Sequence, residues 1–340
     1  MTDPQAATIA TGCGIMLKAA RKQHRVHAKR LKPGITPVLG EKMNLQFETI
    51  TLEKQADYLE RLAKCPQVAS DYSFINLWAW CEEYGLRWAW DDELVWVKQT
   101  YPEVFLWAPV GPWQSIDWNA TIDINTTGRL SFIRIPEKLT DLWRKSFGES
   151  ALIEEARGHW DYVYGVEDLV KLAGNQYHKK KNLLNQFNKK YDYQYAPLGP
   201  ELVEHAMGMQ TDWCTWRDCE SSDVLSAENR AVFRTLRDWD LLDRNLGGAI
   251  MVDGEMVAYT VAEAITDDTV VVHFEKGDTE YKGVYQAVNQ IFLANSAQAF
   301  SYVNREQDLN DEGLRKAKLS YHPIDFLRKY DVVLSGSFIV

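Results

Sequence analysis

Residues 247–265, GGAIMVDGEMVAYTVAEAI, constrain the fold more than any other stretch of the chain. Two apolar runs flank Asp253-Gly254, a pair that tolerates the positive φ angles of a two-residue hairpin. TVVVHFEKG (269–277) predicts a third strand and VYQAVNQIFLANSAQ (284–298) a helix. AFSYVNRE (299–306) then reads as a strand and DEGLRKAKLSY (311–321) as a helix. FLRKYDVVL (326–334) reads as a helix tail or linker entering a last strand. Hairpins mixed with a helical crossover indicate an α/β chain, α+β in character, with mixed sheets.

The same logic occurs earlier. LQFETITL (45–52) alternates like a strand, and EKQADYLERLAKC (53–65) has helical spacing. Asp71 and Ser73 are candidate caps for a short helix carrying Phe74, Leu77, Trp78 and Trp80. Residues 86–111 predict two or three strands, with turns at Asp91-Asp92 and Tyr101-Pro102. LSFIRIP (130–136) is a strand, and EKLTDLWRKSFG (137–148) a helix stopped by Gly148. HWDYVYG (159–165) is a strand, and 166–191 one helix bent at Gly174. YDYQYAPL (191–198) is a strand, followed by a helix from Gly199 and another over 226–243 with Ser226 as its cap. This twofold recurrence divides the chain into lobes at 43–158 and 159–340.

The net charge of −10 is unevenly spread: residues 1–42 carry +6 and the remaining 298 carry −16. An acidic body does not coat DNA, because that binding depends on Lys and Arg neutralising phosphates. Residues 1–42 lack the apolar core of a signal peptide and read as a basic extension ahead of a domain that starts at Met43. No run reaches the ~18–20 apolar residues of a membrane span, so integral membrane association is not expected. Thirteen Trp require a large core or a ring-lined cleft. The five Cys include no CxxC pair, which predicts reduced thiols in a cytoplasmic protein.

Three clusters carry the chemistry. The first is WDYVY (160–164) with GNQYHKKKNLLNQF (174–187), six lysines on or near one helix and no acid from Leu169 to Tyr191. Helical spacing puts Tyr177, Lys181 and Leu184 on one face. Trp160, Tyr162, Tyr177, His178, Lys179, Lys180, Lys181 and Asn182 are therefore candidates to bind an anionic donor. The alternative is a solvated basic face. The second is HFEKGDTEYKGVYQAVNQ (273–290), where Lys282-Gly283 opens a helix whose N–H groups could hold phosphate. The alternative is an ordinary turn. The third is VNREQDLNDEGLRKAKLSYHP (303–323). Asn304, Arg305 and Glu306 leave a strand where a sheet presents residues to a cleft, and Lys318, Tyr321 and His322 return after one helix. The alternative is an ion pair bracing the last helix. Neither HExxH, GxSxG nor GxGxxG occurs, which excludes the commonest metal, serine-hydrolase and dinucleotide signatures.

WDYVY (160–164), GNQYHKKKNLLNQF (174–187) and the stretch from NREQDL to EGLRKAKLSYHP (304–323), in this order, resemble the bacterial domain family related to the C-terminal catalytic domain of phosphatidylglycerol lysyltransferases, over roughly 45–335. The resemblance implies two tandem GNAT-like (acyl-CoA N-acyltransferase-like) lobes. It implies transfer of an aminoacyl group from aminoacyl-tRNA to an amine or hydroxyl acceptor, a small molecule or peptide, without a metal. EYKGVYQA (280–287) holds one Gly where an acyl-CoA pyrophosphate loop carries more, so acyl-CoA stands as the alternative donor. A non-catalytic RNA- or anion-binding module is the third reading. In the enzyme readings Glu275, Asn304, Arg305 and Glu306 form the catalytic group. Glu275 is the base or amine-binder and shares a strand face with His273. Arg305 grips carboxylate or phosphate, and N–H groups of the 257–264 strand meet the oxyanion. A monomer is expected.

Overall fold

A computed structural model describes residues 45–124 and 128–336; the basic extension 1–42 lies outside them. In chain order the elements begin with β1 (Glu48–Thr49), α1 (Gln55–Leu62), α2 (Phe74–Trp80), β2 (Arg87–Trp90), β3 (Val95–Gln99), β4 (Phe105–Leu106) and α3 (Trp118–Thr121). Next come β5 (Leu130–Pro136), α4 (Glu137–Phe147), β6 (Ala151–Glu155), β7 (Asp161–Gly165), α5 (Val166–Lys171), α6 (His178–Lys190) and β8 (Tyr193–Pro197). The chain continues through α7 (Pro200–Arg217), α8 (Asp223–Arg237), β9 (Asn245–Val252), β10 (Glu255–Ala264), β11 (Thr269–Gly277) and α9 (Val284–Ser296). It closes with β12 (Tyr302–Asn304), α10 (Glu312–Leu319), β13 (Asp325–Leu327) and β14 (Lys329–Leu334).

These elements form two compact units, whose described parts are 45–160 with 327–336, and 161–326. The first unit holds a sheet in the order β1-β2-β3-β4-β5-β14-β6, in which only β4 and β5 run parallel. Its core absorbs the Trp excess: Trp88, Trp96, Trp113 and Trp143 are fully buried. Ser73 caps α2 by accepting from the Asn76 N–H. Asp71 does other work. It is buried between Arg134 (3.0 Å) and Lys329, and the Arg134 guanidinium lies 4.3 Å over the Trp107 ring. Lys329 opens β14, so the chain's last strand threads between β5 and β6 rather than following a helix tail.

The second unit holds the sheet β13-β7-β12-β11-β10-β9-β8. Asp253 and Gly254 both adopt positive φ, and Val252 pairs with Glu255, as the hairpin signal requires. α9 buries Val284, Ala287, Val288 and Phe292 in a core shared with Leu184 and Phe187 of α6. The mixed α/β class holds in both units. In the second, an antiparallel β9-β10-β11 run leads through α9 to a parallel β12.

Two local expectations are corrected. The long helix over 166–191 is two helices, because Leu172 turns left-handed (φ 43°) and Gly174 takes φ 86° before α6 begins. The thiols of Cys214 and Cys219 are joined, where free thiols were expected. The left-handed turn at Asp218 ends α7 and brings the two Cα atoms to 5.1 Å, within the range a disulfide spans. Cys65 and Cys81 are not in a disulfide, and Cys13 lies outside the described residues.

Candidate active site

β12 pairs with β11 for three residues, ending at Val271↔Asn304. β11 then runs on from Val272 to Gly277 with no partner from β12, leaving an open edge. Arg305 to Asp308 turn away from that edge and are held by β7. Arg305 N–H donates to the Tyr162 carbonyl (2.9 Å), and Tyr162 N–H to the Glu306 carbonyl (3.2 Å). Asp161, fully buried, accepts from Asn304 Nδ2 and Gln307 Nε2, each at 2.9 Å. Asn304 Oδ1 accepts from the Glu306 N–H at 2.8 Å. The Tyr162 hydroxyl donates to Asp308 at 2.6 Å, and Arg315 of α10 grips both oxygens of Asp308 at 2.8 Å. Burial opposes ionisation of Asp308, but Arg315, Tyr162 and the Asn310 N–H hold its carboxyl below the usual range. The WDYVY and NREQD motifs are thus one hydrogen-bonded unit.

This loop aims consecutive side chains in different directions. Arg305 Nη2 donates to Glu275 Oε1 at 3.1 Å, and Asn289 of α9 donates to Glu275 Oε2 at 3.3 Å. Burial raises the Glu275 pKa, and Arg305 only partly offsets it. Glu306 instead meets His273 Nδ1 at 2.9 Å, with Glu263 at 3.3 Å from Nε2. Burial disfavours an imidazolium there, yet the two carboxyl groups push its pKa up to about 9. Glu275 and His273 were expected on one strand face. Instead the β10–β11 register slips between Val261↔Phe274 and Ala262↔Val272, so His273 is an extra bulged residue and the alternation breaks there.

The third motif closes the group. Lys318 Nζ donates to the Arg305 carbonyl and lies 3.5 Å from that of Glu306. Burial, with Arg305 nearby, brings its pKa down to about 8. The Tyr321 ring takes Arg305 at 5.1 Å and Lys180 Nζ at 4.3 Å from its centroid. Its hydroxyl is buried beside Gln286 and Arg305, and meets no partner at hydrogen-bonding geometry among the described residues. Tyr177 donates to the Tyr321 carbonyl (3.3 Å) and packs edge-on against exposed His322.

The sequence candidates therefore separate. Glu275, Asn304, Arg305, Glu306, Tyr162, Lys180, Lys318 and Tyr321 converge, with Tyr177 and His322 beside them. His178, Lys179, Lys181 and Asn182 are exposed, because the buried face of α6 carries Lys180, Leu184 and Phe187 rather than Lys181. Lys181, His178 and Asn182 instead line a cleft of about 320 Å³ with Asn175, Asn185 and Leu172. Lys282 is exposed, and its N–H bonds the Tyr191 hydroxyl. Gly283 has φ 88°, and a Cβ there would sit 2.4 Å from the Leu183 carbonyl, so α6 fills the space beside it. Trp160 belongs to the first unit, where Arg157 and Arg328 lie 4.8 and 5.4 Å from its ring. From Ala258 onward the 257–264 strand is paired on both sides, by β9 and β11, while Val257 bulges out of the β9 register; beyond Val271 it is β11 that lacks a β12 partner.

Sequence reasoning passed over Asp161, Asn289, Gln307, Asp308 and Arg315. All five sat inside the quoted motifs, and asking what holds the NRE turn would have found Asp161, Gln307, Asp308 and Arg315. Among the described residues no His, Cys, Asp and Glu group could hold a metal ion, and no helix is long and apolar enough to cross a membrane.

Residues 62–333 match the family model described as phosphatidylglycerol lysyltransferase, C-terminal. A protein of unknown function from Bacteroides thetaiotaomicron is 29% identical, with a TM-score of 0.77 over 86% of this chain and 100% of that one. L-PGS from Bacillus licheniformis is 12% identical, with a TM-score of 0.55 over 78% of this chain and 93% of that one, a likeness of fold. An uncharacterised protein of Mycoplasmoides gallisepticum is 24% identical over 192 residues, 55% of this chain and 60% of that one. The match thus spans about three fifths of that relative's length.

Proposed function

The chain belongs to the phosphatidylglycerol lysyltransferase C-terminal family, and from that premise we propose that it moves an aminoacyl group from aminoacyl-tRNA to an amine or hydroxyl acceptor. Lysyl transfer is acyl transfer, and the family supports that coarser class. We assign the reaction to the C-terminal lobe, with the cluster around Arg305 as its centre. The observation that carries this assignment is the Glu275–Arg305 pair. It is 6% and 9% exposed, sits beside the open edge of β11, and has the unpaired Tyr321 hydroxyl and Lys318 next to it.

The acceptor nitrogen or oxygen attacks the ester carbonyl of the donor. The new C–N or C–O bond forms, the ester C–O bond to the ribose breaks, and the acceptor's proton ends on the ribose oxygen. Glu275, its pKa raised by burial, binds the attacking amine and takes its proton. Lys318, whose pKa falls to about 8, is partly neutral near pH 8 and can relay a proton toward the leaving oxygen. Arg305 and the Tyr321 hydroxyl orient the donor's polar groups. N–H groups on the open edge of β11 meet the oxyanion. The donor places the reaction in the cytoplasm, and the chain acts as a monomer in this reading.

Acyl-CoA is the weaker donor here, because the N–H groups of Lys282 and Val284 at the start of α9, which a pyrophosphate would need, already donate to the Tyr191 hydroxyl (3.2 Å) and the Tyr281 carbonyl (3.0 Å). Thermal denaturation in the presence of each donor separates the two. A donor at 100 times its dissociation constant stabilises by about 2.7 kcal/mol. Aminoacyl-tRNA should raise the Tm and coenzyme A should leave it unchanged; the reverse pattern would overturn the donor assignment.

A further inference from the structure

The Cys214–Cys219 disulfide has no part in the chemistry above, and it closes the corner between α7 and α8. Cys214 lies in the last turn of α7 and is half-buried; Cys219 follows the left-handed Asp218 (φ 50°) and is buried. Ser222, three residues on, caps α8. A bridge between residues five apart closes a short loop, so it takes little chain entropy from the unfolded state. With one cysteine half-exposed, it is of the reducible kind. The same corner is laced to the strand behind the candidate site. Trp213, beside Cys214, is buried. Its indole N–H donates to the Tyr285 hydroxyl of α9 at 3.3 Å, and Lys276 Nζ of β11 lies 3.8 Å from its ring centroid. Lys276 pairs with Glu228 of α8 at 2.9 Å, the two side chains 1% and 3% exposed. Gln210 of α7 donates to Asn229 of α8 (2.9 Å) and accepts from the Tyr259 hydroxyl of β10 (2.6 Å). Such buried networks hold only at good geometry, because a displaced partner leaves a polar group unpaired in a low dielectric. Lys276 follows Glu275 and points to the opposite face of β11. The corner thus grips from behind the strand that presents Glu275 in front.

We propose that the Cys214–Cys219 disulfide is a redox switch on the order of β11: oxidised, it locks the α7–α8 corner and the end of β11 with it; reduced by a dithiol, it lets both loosen. A thiolate of the dithiol attacks the half-exposed Cys214 sulfur, and the S–S bond breaks with Cys219 as the leaving thiolate. The second thiol then closes on the mixed disulfide and releases Cys214. The dithiol gives up two electrons and becomes a cyclic disulfide, and its two protons end on the two cysteines. Once the bridge is open, Asp218 is no longer confined to a left-handed conformation that costs a non-glycine residue energy. The last turn of α7, Trp213 included, is then free to unwind. Where thiols are kept reduced, a bridge of this kind forms transiently on oxidation. The link from β11 to aminoacyl transfer rests on the function proposed above; the effect on β11 itself does not.

The test is amide hydrogen exchange of the full chain in native buffer, with and without dithiothreitol. Each sample is alkylated and mapped to score Cys214 and Cys219. Dithiothreitol should open the bridge without denaturant. Exchange over Trp213–Cys219 and at Lys276–Gly277 should then quicken by about tenfold or more, while β2 and β3 of the first unit keep their rates. Reoxidation with oxidised glutathione should restore the slow exchange. Cys214→Ser with Cys219→Ser should exchange like the reduced chain and ignore dithiothreitol. A bridge that resists dithiothreitol until the chain unfolds overturns the switch. So does a bridge that opens while exchange at Lys276–Gly277 stays slow, because it then cross-links the corner alone. Aminoacyl transfer by the same two samples separates the two readings. A several-fold fall on reduction is expected. No transfer in either state, with the exchange response intact, overturns the proposed function and leaves the switch standing. Equal transfer in both states, with the exchange response intact, overturns control of the site by the disulfide.

Discussion

At the scale of single residues, buried groups of opposite tendency sit on either side of one loop. His273 is held charged by Glu263 and Glu306, while Lys318 is pressed toward neutrality by burial. Their effects on stability have opposite signs. The imidazole pKa rises from 6.5 unfolded to about 9 folded, so its contribution is complete below pH 6.5 and is lost as pH climbs through 9. The ammonium pKa falls from 10.5 to about 8, so its cost is complete below pH 8 and fades toward 10.5. Between pH 6.5 and 8 His273 acts without opposition from Lys318. Stability should therefore decline with rising pH there, by up to about 1.4 kcal/mol per unit. His273→Gln should flatten that decline in urea titrations at pH 6.5, 7.25 and 8. An unchanged slope would show that the imidazolium is not linked to folding. None of this was legible beforehand. HFEK reads as simple alternation, and the bulge that turns His273 toward Glu306 depends on the pairing register with β10.

At the scale of elements, local chemistry was legible where it was self-contained. Asp253-Gly254 specifies its hairpin, Ser73 its helix cap, and Gly148 the end of α4 at φ 53°. It failed where a distant partner decides. Ser226 reads as a helix start, yet Ser222 caps α8 by accepting from the Leu225 N–H. Asp71 reads as a cap and is instead an ion-pair partner of Arg134 and Lys329, the latter 258 residues away. Gly283 reads as a phosphate turn, whereas its lack of a side chain admits α6. Gly254 has nearly the same φ (86° against 88°) but nothing near its absent Cβ, so it is a matched control. Gly254→Ala should cost about 1 kcal/mol from the backbone alone. Gly283→Ala should cost more, toward about 3 kcal/mol, because the Leu183 carbonyl must also move. Equal urea midpoints for the two variants would mean that α6 gives way freely and that the space beside Gly283 is open to a ligand.

At the scale of the whole molecule, the order of strands and helices announced two mixed α/β lobes, because hydrophobic period and turn residues are local properties. The route of the last strand was not legible: β14 enters the first unit's sheet by pairing with β5 and β6, and no local signal names those partners. The candidate site was legible as three motifs and illegible as a mechanism. WDYVY and GNQYHKKK are neighbours in sequence, but NREQD…KLSYH follows more than a hundred residues later and meets them only through the β7–β12–β11 order and the return of α10. The central claim is that this convergence transfers an aminoacyl group, with Arg305 at its heart. The direct measurement is protein-dependent loss of ester-linked radiolabelled amino acid from an aminoacyl-tRNA pool, with mixed lipid and amine acceptors present. The parent chain and Arg305→Ala are compared at equal occupancy of tRNA. Losing a preorganised charged donor at a reacting centre costs about 10²–10³ in rate. The account predicts labelled acceptor from the parent and at least about a hundredfold less from Arg305→Ala. Equal transfer by both chains, with tRNA bound by both, would contradict it.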